Sequence, residues 1–247
     1  MSGSFFGFLS NIADNSSQDD SIDVTFDKDA GLLSTLNAGD FIHVFIVQRT
    51  TGVTLSVATT GGQTWTSKTA VSSGSQTGRV FTCQFDGTWT ADPAFTTSSR
   101  SGVKFSGFLS VVRPSGTPTW AVDVAQSSSN STPGSPFDVT VSGQTATESG
   151  VSFAVFMNTD FDGTPMTLQT GVSGTWANAG SSEQYRNQSG SGSDQTLAVC
   201  YRLNASSGAT GSVTKRLDAS VTTIYAIETF KDQSVAPTGK TGMLRGM

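Results

Sequence analysis

The order of events in the first half of this chain recurs in the second half, and a chain that repeats its own pattern must bury two copies of one apolar surface. Gly39-Asp40-Phe41-Ile42-His43-Val44-Phe45 is echoed by Ser149-Gly150-Val151-Ser152-Phe153-Ala154-Val155-Phe156, and Thr64-Trp65-Thr66 by Thr175-Trp176-Ala177. Trp65 and Trp176 lie 111 residues apart. Phe81-Thr82-Cys83 corresponds to Ala198-Val199-Cys200 at an offset of 117, and Val103-Lys104-Phe105 to Val221-Thr222-Thr223 at 118. The drift is small enough for loop insertions.

The repeated units read as strands. Apolar or alternating runs bounded by Gly, Ser, Asn and Asp mark Phe41 to Gln48, Val80 to Phe85, Val103 to Arg113, Phe137 to Val141, Val151 to Met157, Leu197 to Leu203 and Val221 to Lys231. With 27 glycines and only 13% charged residues, the composition suits short strands and tight turns rather than long surface helices. No helical pattern separates the strands, which argues against parallel βαβ units. Ser4 to Ile12 is the one segment whose pattern leaves a helix open.

The expected fold is therefore all-β, an antiparallel jelly-roll sandwich of about 8–10 strands with pseudo-repeated halves. Residues 1–20 are expected to form an N-terminal arm, 21–232 one domain with halves near 21–125 and 137–232, and 233–247 a C-terminal arm rich in Gly and Pro. One half alone would leave an apolar face in water, so the halves are expected to interleave. The alternative is two small sandwiches in tandem, linked through Ser127 to Pro136.

Fourteen basic against nineteen acidic side chains give a net charge of −5 and no basic run, which excludes the electrostatic footprint of a nucleic-acid binder. The longest apolar runs fall short of a membrane-spanning helix, so a soluble protein with no membrane partner is expected. Phe5, Phe6, Phe8 and Leu9 lack the positive region of a secretory signal. Cys83 and Cys200 sit in strand-like runs and read as buried free thiols.

Catalytic signals are sparse. Nucleophilic catalysis would have to use His43, the single histidine, which sits within an apolar strand. No HxH, HExxH or paired CxxC spacing offers a metal site. Asp160-Phe161-Asp162-Gly163 and Asn15 to Asp20 supply oxygen ligands suited to calcium, but both read more simply as turns. Asp86, Asp92, Glu148, Glu183 and Glu228 show no spacing that pairs two carboxylates across a cleft, as glycosidase chemistry requires. No enzyme activity and no cofactor is expected. Trp65 and Trp176, at matching places, read as core residues, whereas Trp89 and Trp120 stand in turn-rich contexts and are the candidates for stacking on a glycan. The cluster Phe5, Phe6, Phe8 and Leu9 is too apolar to stay in water and is the candidate for docking onto a partner, or else for packing on its own domain.

The Gly39-Asp40 strand start, one tryptophan per half (Trp65, Trp176), the runs Ser101-Gly102-Val103 to Val111 and Ser149-Gly150-Val151 to Met157, and the closing stretch Ala209-Thr210-Gly211-Ser212 to Phe230 together carry a resemblance. Over residues 20 to 231 the chain resembles the jelly-roll modules of tailed-bacteriophage virion proteins. The resemblance implies a capsid decoration or cement protein, or a head-fibre, tail or baseplate appendage. It further implies a homo-oligomer, a trimer above others, that contacts the major capsid protein or other virion proteins and resides in the virion. The aromatic N-terminal segment and the Gly-rich C-terminal arm depart from the common module, and no functional residue is carried over.

Overall fold

All eight residues of Phe41–Gln48 are buried, and so are all nine of Gly150–Asn158. A strand that hides both of its faces needs a layer on each side. The computed structural model, which describes residues 3–13, 23–74, 76–98, 105–116, 119–158, 166–169, 175–180, 185–186 and 195–233, supplies those layers with strands and essentially no helix.

The first half contributes β1 (Ser4–Ala13), β2 (Asp23–Thr25), β3 (Phe41–Gln48), β4 (Leu55–Thr59), β5 (Thr66–Ser67), β6 (Val71–Ser73), β7 (Gln76–Gln84), β8 (Ala94–Thr97) and β9 (Phe105–Arg113). The second contributes β10 (Thr119–Ser131), β11 (Asp138–Val141), β12 (Thr145–Ala146), β13 (Gly150–Asn158), β14 (Thr167–Leu168), β15 (Ala177–Asn178), β16 (Tyr185–Arg186), β17 (Thr196–Asn204), β18 (Gly208–Ala209), β19 (Val213–Arg216) and β20 (Thr223–Gln233). All pairings are antiparallel. The broad sheet of the first half runs β1-β9-β3-β7-β5 with β6 also on β7, and that of the second runs β10-β20-β13-β17-β15 with β16 also on β17. Each half adds a small sheet, β2-β8-β4 in one and β11-β19-β14 in the other. The ribbon β12-β18 has no counterpart among the described strands of the first half.

The molecule is thus an all-β sandwich, and three cores show how its layers stack. Val24, Ile42, Val44, Ile46, Phe81 and Phe95 lie between the sheets of the first half. Val139, Ala154, Phe156, Trp176, Cys200 and Val213 do the same in the second. The third core joins the halves: Phe41, Phe45, Val47, Val80 and Phe108 of one broad sheet meet Val151, Phe153, Val155, Leu197, Val199 and Phe230 of the other. The continuous apolar runs of β3 and β13 are therefore shared between two cores apiece. Close approach at this joint requires Gly78, where a Cβ would come within 2.8 Å of the Phe45 ring.

Three expectations are corrected. The halves do not interleave, because no described sheet mixes their strands; each half covers one face of its broad sheet with its own small sheet and gives the other face to its neighbour. Ser4 to Ile12 is not helical but part of β1, paired along β9 from Ser4↔Arg113 to Ala13↔Phe105, so half of the supposed N-terminal arm, Ser4 to Ala13, belongs to the first half. Ser127 to Ser131 is not linker but the end of β10, paired with Ile227 to Thr223 of β20, and β10 opens the second half where the sequence reading ended the first at residue 125. Of the C-terminal arm, only Gln233 lies within the described residues, as the last residue of β20.

Register refines the repeat. Phe41 pairs with Gln84 and Val112, and its counterpart Val151 with Leu203 and Phe230, which sets offsets of 110, 119 and 118 for the three central strands. Phe81 therefore corresponds to Cys200, two residues away from the match read in sequence. A slip of two preserves the in-and-out alternation of a strand, so hydrophobic patterning is blind to it. The refined register matches in detail: Lys68 N–H donates to Val80 O at 2.9 Å, and Ala179 N–H, 111 residues on, donates to Val199 O at 2.9 Å.

Candidate functional site

The most distinctive polar chemistry of the described residues is sealed in the joint between the broad sheets. His43 on β3 and Phe153 on β13 occupy the same place in the two halves and stack on each other, ring centroids 4.1 Å apart and planes 14° from parallel. His43 is 1% exposed and its Nδ1 has no hydrogen-bond partner. Burial, aided by the charge of Lys68, pushes its pKa down to about 3, so the ring stays neutral at ordinary pH. Beside it in register, Ser110 of β9 is buried with its hydroxyl unpartnered.

On the other sheet Glu228 of β20 is 2% exposed, with neither carboxyl oxygen hydrogen-bonded. Lys68 reaches it from the first half at 3.6 Å and lies 5.0 Å from the Phe230 ring centroid. Burial raises the Glu228 pKa to about 7 against the opposing pull of Lys68. A lone histidine stacked under an aromatic ring and a carboxylate tied to a lysine, both cut off from solvent, cannot meet a substrate. Both are polar groups enclosed between the layers.

The N-terminal cluster packs on the chain itself. Phe5 stacks on Tyr201 of the second half at 4.2 Å, Phe8 on Phe108 at 5.4 Å, and Phe6 and Leu9 turn to the core of the first half. Phe6 also lies under the Arg113 guanidinium at 3.5 Å. That guanidinium grips Asp40 through two hydrogen bonds, Nε to Oδ1 at 3.0 Å and Nη2 to Oδ2 at 2.7 Å. Sequence reasoning noticed the Gly39-Asp40 strand start without its purpose: Asp40 holds the arginine that clamps β1. Of the four residues only Phe8 remains substantially exposed, at 42%, and Val122 on β10 is the other large apolar side chain in water among the described residues.

Both candidate glycan tryptophans are half-buried. Trp120 leans on Phe41 at 5.0 Å, donates its indole N–H to Gly39 O at 3.2 Å and receives support for its backbone from Gln84, so it ties β10 to the first half. Trp89 lies against Phe85 at 4.8 Å with the ring planes tilted by 33°, and donates its indole N–H to Leu33 O at 3.3 Å. One side of Trp89 lines an open cleft of about 320 Å³ with Lys28, Asp29, Ser34 and Thr88. Trp176 is 3% exposed in the core, as read from sequence, and its counterpart Trp65 is half-buried.

The carboxylates hold local structure. Asp86 accepts from Gln63 and from Thr88 N–H, bonds that keep its pKa below the usual range; Asp92 accepts from Lys28 N–H; Glu148 pairs with Lys231. Cys83 and Cys200 are buried free thiols, in the cores of different halves. No group of three His, Cys, Asp or Glu side chains that could hold a metal ion occurs among the described residues. Asp160 to Gly163, Asn15 to Asp20 and Glu183 lie outside the described residues.

No known protein family, curated protein or solved structure matches the chain.

Proposed function

We propose that this is a non-enzymatic structural protein of a bacteriophage virion, a capsid decoration or cement protein acting as a homo-oligomer through contacts with the major capsid protein. The observation that carries the reading is the joint: the broadest apolar surfaces of both halves are spent on fastening two sandwiches into one body, and the histidine and the raised carboxylate are sealed inside it. A protein built this way presents surfaces, not a reaction centre. The alternation of strands between sheets, β1, β3, β5, β6, β7 and β9 against β2, β4 and β8 in the first half and β10, β13, β15, β16, β17 and β20 against β11, β14 and β19 in the second, supports reading each half as a jelly roll. The long edge strands β1 and β10, each with an exposed apolar residue, are the places where neighbours would be met.

Quantitative mass spectrometry of purified virions tests this. A copy number comparable to that of the major capsid protein supports a lattice-wide decoration role. A copy number matching a vertex or tail supports the appendage variant, and absence from particles overturns the virion reading.

A second reading rests on Trp89 alone: its half-exposed ring beside Asp29, Ser34 and Thr88 has the aromatic-plus-acceptor composition of a sugar subsite. A glycan array answered by wild type and not by Trp89→Ala would favour a tail or head-fibre appendage that recognises host glycans.

A further inference from the structure

One end of the first half's core is apolar, and the matching place in the second half is not. Ile42, Cys83, Phe85 and Val111 are buried in one cluster of the first half. Register sets Ser152, Arg202, Asn204 and Thr229 at the corresponding positions. Asn204 Nδ2 donates to Ser152 Oγ at 2.9 Å, the hydroxyls of Ser152 and Thr229 share a hydrogen bond at 2.8 Å, and Thr229 donates to Gln144 Oε1 at 2.8 Å. Arg202 Nη1 donates to Thr210 O. Gln144 precedes β12 and Thr210 follows β18, so the new polar groups are tied to the ribbon that the first half lacks among its described strands.

Arg202 is the member this network leaves unfinished. Its Nε is buried with no hydrogen-bond partner, and its Nη2 donates to no group among the described residues. Nε and Nη2 form one edge of the guanidinium fork, the edge that takes a carboxylate through two parallel bonds. Elsewhere in this chain Arg113 holds Asp40 and Arg216 holds Asp138 through that same pair of nitrogens. Arg202 has no such acid: it borders a cleft of about 230 Å³ in which no carboxylate stands among the lining residues. The other polar side chains of the wall are those of Thr175, Asn204, Ser206 and Ser207, three of them hydroxyls. A buried charged donor without an acceptor is costly, and an acceptor from outside would complete it.

We propose that this cleft binds a small hydroxylated carboxylic acid, of the sugar-acid class, with the carboxylate on the Nε–Nη2 edge of Arg202. One cation among neutral groups balances a single negative charge, which suits a carboxylate better than a phosphate dianion. Hydroxyl side chains both donate and accept, so they match the hydroxyls of the carrier. The cleft is larger than a bare carboxylate needs and admits that carrier. The site belongs to the second half and is independent of the Trp89 cleft in the first.

Nitrogen–proton correlation spectra of the full-length protein, titrated with glucuronate, glucose, acetate and inorganic phosphate, test the proposal. Binding must bring the covered Nε to the carboxylate, so its N–H resonance is the readout. Glucuronate should shift the Arg202 Nε–H and the amides of Ala205 to Gly208 to saturation, while glucose leaves the Nε–H in place. Arg202→Gln should weaken glucuronate at least tenfold, and Trp89→Ala should leave its affinity unchanged. Ser207→Glu, which sets a carboxylate of the protein's own on the exposed wall, should weaken it severalfold and carries the test if Arg202→Gln does not fold. An Nε–H unmoved by glucuronate overturns the site, as does unchanged affinity in Ser207→Glu or Arg202→Gln. A loss of affinity in Trp89→Ala moves the ligand to the other cleft and overturns it too. Acetate or phosphate binding as tightly as glucuronate overturns the sugar-acid assignment.

Discussion

The two halves share one strand order and differ most where they touch. Position for position, His43 faces Phe153, the lysine at 68 corresponds to Ala179, and Glu228 corresponds to Ser110. Two separate copies of one chain meeting about a twofold axis would set a residue against itself and would carry every charge twice. Joining the copies in a single chain lifts that constraint. Lys68 can sit in one half and its partner Glu228 in the other, while the counterparts Ala179 and Ser110 are small. The space gained is used: Phe8 pairs in register with Ser110 and lies over Gly180, where a Cβ would come within 3.0 Å of its ring. The duplicated architecture has thus become directional, with an ion pair at one place in the joint and the N-terminal strand laid across the other.

The largest expected effect comes from unbalancing the ion pair. Lys68→Ala takes both the counter-charge and a packed side chain away from Glu228 in an apolar joint, and should cost about 3–5 kcal/mol in denaturant unfolding at pH 8. At pH 5 the cost should shrink, because a carboxyl whose pKa is already near 7 takes up a proton. An equal loss at both pH values would show that Lys68 acts by packing alone.

Next come the paired tryptophans. Trp176 is 3% exposed and its indole N–H reaches the carbonyls of Thr210 and Gly211, whereas Trp65 is partly in solvent and reaches Thr60 O. Trp176→Ala should lose about 3–5 kcal/mol and Trp65→Ala about 1–2 kcal/mol. Comparable melting temperatures for the two variants would mean that the halves are packed alike at this place.

Glu228→Gln and His43→Phe separate two opposing titrations in the joint. The folded-state pKa of Glu228 is raised, so its contribution is fully present below about pH 4.5 and is lost as pH rises through about 7. Glu228→Gln should therefore gain on wild type between those values, by about 1–3 kcal/mol at the upper end. The folded-state pKa of His43 is lowered, so its contribution is present above about pH 6.5 and is lost as pH falls through about 3. His43→Phe makes the two halves alike at this position, removes an unpartnered nitrogen and should stabilise by about 1 kcal/mol near neutral pH, with a larger gain in acid. A stability profile unchanged in pH by either substitution would show that neither group titrates in the joint.

Much of this molecule was legible in its sequence. The duplicated pattern, the seven clearest strands, the buried cysteines and the core placement of Trp176 all follow from the period-two alternation and the turn residues that bound it. The joint was legible only as an oddity: β3 and β13 are apolar on both faces, which says that both are covered but not by what. His43, Glu228 and Lys68 are far apart in the chain and carry no shared motif, because contacts between sheets have no fixed spacing. Arg113 and Asp40 likewise meet only when β9 lies beside β3. Reading Phe5 to Leu9 as an arm failed because a strand that divides its aromatics between two cores has no single apolar face to detect.

By itself, the sequence determined that the chain is all-β, that it is built twice from one pattern, and which residues seek burial, since those follow from local alternation and composition. Only the tertiary structure decided that the halves stack broad sheet to broad sheet instead of interleaving, which strand edges stay open, and which polar groups are locked inside. Those outcomes depend on the register and pairing of strands more than a hundred residues apart, and a shift of two residues in register leaves every local signal unchanged.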